Sequence, residues 1–212
     1  MDPTLDRMAS DAHSRTIPEE TYEALMAATY RALCEHGYDD LTMRDISAEF
    51  EKSRALIHYH YDSKADLLAA VFEWMVDRYE ERMLEGVATA EDPEAMLERF
   101  VDLSLSGPAD PSFDHWAFFT ALLEFRSRAH RDERIRAALM ASYDRAVGIV
   151  RAILEDGIER GVFREVDAEA AAHFLFLATD AVRVRRITNG DPDAVAQGRV
   201  ALDQLVLEPL YR

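Results

Sequence analysis

The chain has 212 residues, 49% of them hydrophobic, which suffices for a sizeable core and excludes a disordered chain. Its 41 acidic residues against 24 basic ones leave a net charge of −17, a balance that argues against nucleic acid unless a local feature supplies the contacts. The single cysteine, Cys34, excludes an internal disulfide, no metal-ligand spacing occurs, and no apolar run reaches the roughly 18 residues of a membrane span.

Residues 1–17 carry no apolar signal-peptide core and read as a flexible segment, with Arg7 and Arg15 able to reach DNA. A soluble cytoplasmic protein is expected. Ala24, Ala27, Ala28, Tyr30, Leu33 and Cys34 repeat at helical spacing and predict a first helix over about 18–36, stopped by Gly37. Thr42 with Asp45 forms a capping box for a short helix over 43–50, and a second short helix covers 54–61. Ser63 with Asp66 opens a long helix from Lys64 towards Gly86. Further helices are predicted over 93–106, 111–129, 132–160, 168–188 and 192–208. Three of them follow the pairs Asp92-Pro93, Asp110-Pro111 and Asp191-Pro192, and one follows Asp167. Eight glycines and seven prolines are few for a turn-rich β protein, and no segment alternates as a strand does, so the fold class is all-α.

The two short helices after a longer one have the form of a helix-turn-helix, whose last element enters the major groove. Ile46 is expected to anchor the first of them in the core and Leu41 to close the link before it. In the second, Leu56 or Ile57 must face inward, which leaves Ser53, Arg54, His58, Tyr59 and His60 for contacts. Ser53 with the first backbone N–H groups can meet a phosphate, and tyrosine and histidine offer neutral hydrogen bonds. Both lysines of the chain, Lys52 and Lys64, fall beside this stretch. Taken alone, a run such as His58-Tyr59-His60-Tyr61 is more often packing than recognition; a metal site is a poor reading, since residues two apart share no helix face.

The block ALCEHGYDDLTMRDISAEFEKSRALIHYHYDSKADLL, within residues 25–68, resembles the DNA-binding domain of the TetR/AcrR transcriptional repressors. The resemblance implies a helix-turn-helix domain over 18–64 and a larger helical domain over 65–212 that binds a small effector and dimerises. It implies DNA contacts from Thr42 and Arg44, from Ser53, Arg54, Tyr59 and His60, and from Lys64 to a phosphate. His58 and Tyr61 depart from the residues most usual in the family.

In the larger half, the same resemblance places an effector pocket among the helices beginning near 64, 93, 111 and 132, and sometimes 168. Trp74, Tyr79, Phe100, Trp116, Phe119, Leu123 and Tyr143 are its candidates, with core packing as the plain alternative for each. The stretches EFRSRAHRDERIRAAL and GIERGVFREVDAEAAAHFLFLATDAV look like the branch containing betaine-pathway repressors. An aromatic pocket near Glu124 or Asp114 could then hold a cationic ligand by cation–π contact. The last two helices offer Ala171, Phe174, Leu175, Ala178 and Val182 on one, and Val195, Gly198, Leu202 and Leu205 on the other. Two such helices from each of two chains would close a four-helix interface, unless the same stripes are buried within one chain.

The expected function is a ligand-responsive regulator, a repressor that binds a palindromic DNA operator as a homodimer and is released by a small-molecule effector. A helical sensor or adaptor that binds no DNA is the competing reading, favoured by the acidity. An enzyme is disfavoured, since no nucleophile–base spacing, glycine-rich phosphate loop or metal motif occurs, and no cofactor is expected. The scarcity of lysine beside abundant Asp and Glu suits a salt-rich cytoplasm, although GC-rich coding gives the same bias.

Overall fold

The computed structural model describes residues 17–50, 54–108, 110 and 113–211. Among these the chain is helical throughout, apart from an isolated antiparallel bridge between Phe163 and Tyr211. Packing separates two units, one up to Met75 and one from Val76 onward, and one long helix contributes to both.

The first unit holds α1 (Glu19–Asp40), α2 (Met43–Glu49), α3 (Arg54–His60) and the beginning of α4 (Lys64–Val87). Gly37 breaks α1 with φ 72°, a left-handed angle that glycine adopts without steric cost, and a further turn carries the chain to Asp40. At the start of α2 the Asp45 N–H donates to the Thr42 hydroxyl (3.3 Å), while the Asp45 carboxylate accepts from the Thr42 N–H (2.8 Å) and hydroxyl (2.6 Å). These bonds favour the ionised form and hold the Asp45 carboxyl below its ordinary range. Leu41, Ile46 and Ile57 are buried as expected, together with Tyr61. Arg31 ties α1 to α2 through the Glu49 carboxylate at 3.1 Å.

Lys64 does related work at the head of α4. Its ammonium donates to the carbonyls of Tyr38 and Leu41, each at 2.7 Å, and of Asp39 at 3.3 Å. A cation is thus held against carbonyls left over where a helix stops, the place where positive charge is best stabilised.

The second unit contains α5 (Pro93–Ser106), α6 (His115–Arg126), α7 (Glu133–Glu159), α8 (Ala168–Thr188) and α9 (Ala194–Leu202). A π-type turn over Asp203–Leu207 and the short α10 (Glu208–Leu210) complete it. Aspartates cap as predicted at Asp92, which accepts from the Ala95 N–H (2.9 Å), and at Asp167, which accepts from Ala170 (3.0 Å). Two helix starts shift. α6 begins at His115 because Asp114 accepts from the N–H groups of Trp116 (3.0 Å) and Ala117 (2.9 Å); the expected start at residue 111 lies outside the described residues. Asp191 accepts from the Asp193 N–H (3.0 Å), which closes a turn at the Asp-Pro pair and delays α9 by two residues.

The apolar core is built by residues such as Leu97, Phe100, Val150, Leu154, Phe163 and Leu175. Beside it lies a buried guanidinium. Arg183 on α8 is 4% exposed; its Nη1 donates to the Ser104 carbonyl of α5 (2.9 Å) and its Nη2 to Asp180 Oδ1 (3.1 Å). Arg126 of α6 meets both oxygens of the same carboxylate, at 3.0 and 2.9 Å. Three helices therefore converge on one ionic knot. His115, at the start of α6, is buried near it, and burial first, with the Arg183 charge second, pushes its imidazole down to about 4.

Two consequences are measurable. Lys64→Met should cost the first unit about 2 kcal/mol, the scale of hydrogen bonds from a charged donor, read from chemical denaturation. Unchanged stability with weakened DNA binding would instead make Lys64 a phosphate contact. His115 ionises in the unfolded chain near pH 6.5 and in the folded one near 4. As pH falls through that window only the unfolded chain gains the proton, so stability drops by about 3 kcal/mol and then levels. His115→Gln should flatten that part of the stability–pH curve, whatever it does to stability at pH 7.5.

Candidate DNA-reading face and effector cluster

In the first unit, α3 sorts its residues by helical period. Ile57, His60 and Tyr61 are buried, at spacings of three and four, while His58 and Tyr59 lie outside. Tyr59 is 76% exposed and is the most prominent apolar ring on this face. His60, expected on the same face, is instead 6% exposed, its ring 4.8 Å from that of Tyr59 in an edge-on contact. The correction was available from spacing, because a residue three after the inward Ile57 must also turn inward. Thr42 and Arg44 are exposed on α2. Arg54 opens α3, and Ser53 lies outside the described residues. Lys64, expected to meet a phosphate, is half-exposed, with its ammonium held by three backbone carbonyls.

The charge of this unit is unusual for a DNA reader. Residues 17–75 carry twelve carboxylates against five lysines and arginines. Of those five, Arg31 is paired with Glu49 and Lys64 with carbonyls. Among the side chains described on this face, contacts therefore fall to Arg44 and to neutral donors such as Thr42 and Tyr59.

The second unit gathers part of the predicted pocket. Tyr79 stacks on Phe118 with ring centroids 4.6 Å apart and meets Phe119 edge-on at 5.3 Å. His115 joins Phe119 (4.8 Å) to Trp116 (4.9 Å). Withdrawal from water pushes the Tyr79 phenol up to about 12, with Arg183 pulling the other way. Tyr143 stands at the far end: its hydroxyl is 2.5 Å from His173 Nδ1 and its ring 4.8 Å from Phe176. Phe100 belongs to the apolar core, and Leu123 is half-buried on α6. Trp74 is a correction. It packs in the first unit, donating from Nε1 to Glu23 at 3.0 Å with Tyr30 beside its ring, so it is not a member of this cluster.

The feature that the sequence reading missed is cationic. Arg183 lies over Phe119 at 4.3 Å and over Phe176 at 6.0 Å, Arg186 over Trp116 at 5.3 Å, and Arg82 over Phe113 at 5.0 Å. Asp114, proposed to balance a cationic ligand, spends its carboxylate on the α6 cap. The signal for Arg183 was present, since Leu175, Thr179 and Arg183 follow one another at intervals of four on the inward side of α8.

The predicted dimer residues also divide. Leu175 and Leu202 are buried within the chain, and a Cβ on Gly198 would lie 2.4 Å from Val182, so this part of the stripe is spent on packing α8 against α9. Ala171, Ala178 and Val195 are likewise partly buried against the core. Phe174 (56%) and Leu205 (76%) do face outward, joined by Leu177 (57%) and Val200 (53%). The outward row on α8 is thus Ala170, Phe174, Leu177 and Ala181.

Comparison with known proteins agrees with both units. Residues 25–71 match the family model of bacterial regulatory proteins of the tetR family, and residues 93–208 match that of the C-terminal part of BetI-type transcriptional repressors. A TetR transcription regulator from Haloarcula marismortui superposes with a TM-score of 0.81 at 33% identity, covering 92% of this chain and all of that one. A regulator from Saccharomonospora viridis, solved in complex with choline, superposes with a TM-score of 0.78 at 24% identity over 92% of this chain and all of its own. An HTH-type transcriptional repressor of Streptomyces coelicolor is 29% identical over 195 residues, which cover 85% of this chain and 90% of that protein. No described helix is long and apolar enough to cross a membrane. With a helix-turn-helix whose α3 turns Tyr59 outward, a second helical unit, and both halves matched, the chain belongs to the TetR family of DNA-binding transcriptional regulators, which are not enzymes.

Proposed function

We propose that this regulator is a cytoplasmic repressor that binds a palindromic operator as a homodimer and lets go when a small molecule occupies the second unit. The outward face of α3 carries the reading: an exposed Tyr59 beside the exposed His58, with Thr42 and Arg44 exposed on α2. A tyrosine at that exposure is held in packing only through its edge contact with His60, and it offers a hydroxyl to phosphate or base edges. Support for repression comes from the Streptomyces relative, which is named a repressor. Support for a small effector comes from the choline-bound neighbour.

Dimerisation follows from the apolar row that α8 and α9 leave outside. Ala170, Phe174, Leu177 and Ala181 recur at helical spacing, and Val200 and Leu205 extend the apolar surface on the next segment. A second copy would cover the row symmetrically and set two recognition helices at the separation of two half-sites. An effector that binds one arrangement of the dimer better than the other then shifts operator occupancy by that difference in affinity.

The acidity of the first unit gives the adaptor reading its one argument, and operator selection decides between the two. Selection from a random DNA pool should enrich a palindrome, and Tyr59→Ala should weaken binding to it at least tenfold while leaving melting temperature unchanged. With few cations to release counterions, affinity should depend only shallowly on salt; a steep loss between low and molar salt would contradict neutral readout. Failure to enrich any sequence from a folded dimer favours the adaptor. Phe174→Glu, in turn, should yield a monomer by sedimentation and abolish specific operator binding, whereas a monomer that keeps full affinity would refute the dimer.

A further inference from the structure

We infer that the effector of this protein is an organic anion, a carboxylate on an apolar body, bound at the Arg183 cluster of the second unit. The inference rests on the effector reading above and adds the charge class.

Charge balance comes first. Arg126 and Arg183 share one carboxylate, Asp180, and the remaining partner of Arg183 is a neutral carbonyl. With Arg186, over the face of Trp116, included, three guanidiniums face two carboxylates, Asp180 and the capping Asp114, which leaves a positive excess in a region walled by rings, where charge is weakly screened.

Hydrogen bonding points the same way. Arg183 Nε is sealed from solvent without a partner, and so are both ring nitrogens of His115. The Leu105 carbonyl lies near His115 and raises its basicity slightly, but without the geometry of a hydrogen bond. A buried donor left unmet is costly, and such groups in a native protein call for an explanation. An anion supplies the acceptor that a guanidinium Nε–H and a neutral imidazole N–H both lack. Tyr79 and Phe118, stacked on one another, make the surroundings of that charge apolar.

The same geometry disfavours a cation. A quaternary ammonium is recognised by open aromatic faces, and here the faces of Phe119, Phe176, Trp116 and Phe113 already carry the chain's own arginines. A cationic ligand would have to displace them and then sit beside the charge it displaced. The choline-bound neighbour thus shares the fold, while this chain has filled its rings from within.

The test compares isosteres on the full chain. Benzoate and hexanoate are titrated calorimetrically at pH 7.5 against benzamide, hexanamide and choline, with melting temperature and operator release followed in parallel. The carboxylates should bind at least tenfold tighter than their amides and than choline, and they alone should release the operator. Arg183→Met should erase the preference for acid over amide. Should that variant fail to fold, the acid–amide comparison on the parent chain stands by itself. Equal binding of acid and amide, or tighter binding of choline, overturns the anion assignment while leaving the effector reading intact. No binding by any probe, with operator affinity unmoved, overturns both.

Discussion

Arg183 places a permanent charge where only 4% of its surface meets solvent, and the second unit is arranged around the need to satisfy it. Its guanidinium draws a carbonyl from α5, a carboxylate from its own helix and, through that carboxylate, Arg126 from α6. Such a knot is a poor source of net stability, because desolvating the charges offsets most of their attraction. Its strength shows when it is broken: removing one member leaves the others buried and unmatched, at about 3–5 kcal/mol. The three helices are therefore held less by how favourable the knot is than by how unfavourable any other placement would be. Arginine suits this role where lysine would not, since its planar group can donate at its edge and lie flat on Phe119 at once.

The first unit solves the opposite problem, that of approaching a polyanion while carrying more carboxylates than cations. Lysine, the usual point charge for phosphate, is used here inside the fold, where Lys64 fastens the end of α1 and the link before α2 to α4. Arg31 is likewise spent on Glu49. Outward among the described residues are a hydroxyl at Thr42, an arginine at position 44, the His58 imidazole and the Tyr59 phenol. Groups of this kind report geometry and hydrogen-bonding pattern more than charge, so specificity can survive conditions in which electrostatic attraction is screened away.

Much of this was legible before any coordinates. Helix ends announced themselves through Asp92, Asp167, Thr42 and Gly37 because caps are local chemistry. Errors arose where the outcome depended on which face of a helix turns inward. His60 follows from period, since it falls three residues after the inward Ile57; Leu175, Leu202 and Gly198 lie on apolar stripes whose period does not say whether the stripe packs within the chain or against a second copy. Trp74 was misplaced for another reason: nothing local says that the packing unit changes just after Met75 within one uninterrupted helix. Arg183 was hardest to see, since a charged residue in a stretch reading RVRR is ordinarily solvent-facing. Only its partners, Asp180 three residues earlier and a carbonyl far away in sequence, make the inward position possible.

The two sides of α8 bring these threads together. Its inward side carries Leu175, Thr179 and Arg183, and its outward side carries Phe174, Leu177 and Ala181. A rigid helix cannot turn or slide one side without the other, so the residues bound to the ionic knot and the exposed apolar row move as a single body. Interiors packed at crystal-like density resist small continuous adjustments and favour discrete alternatives instead. A molecule that takes over one of Arg183's contacts is therefore coupled to the outward row through α8 itself, without a chain of intermediates. Coupling of this kind is reciprocal: whatever holds Phe174 and Leu177 in one placement also biases what Arg183 can accept.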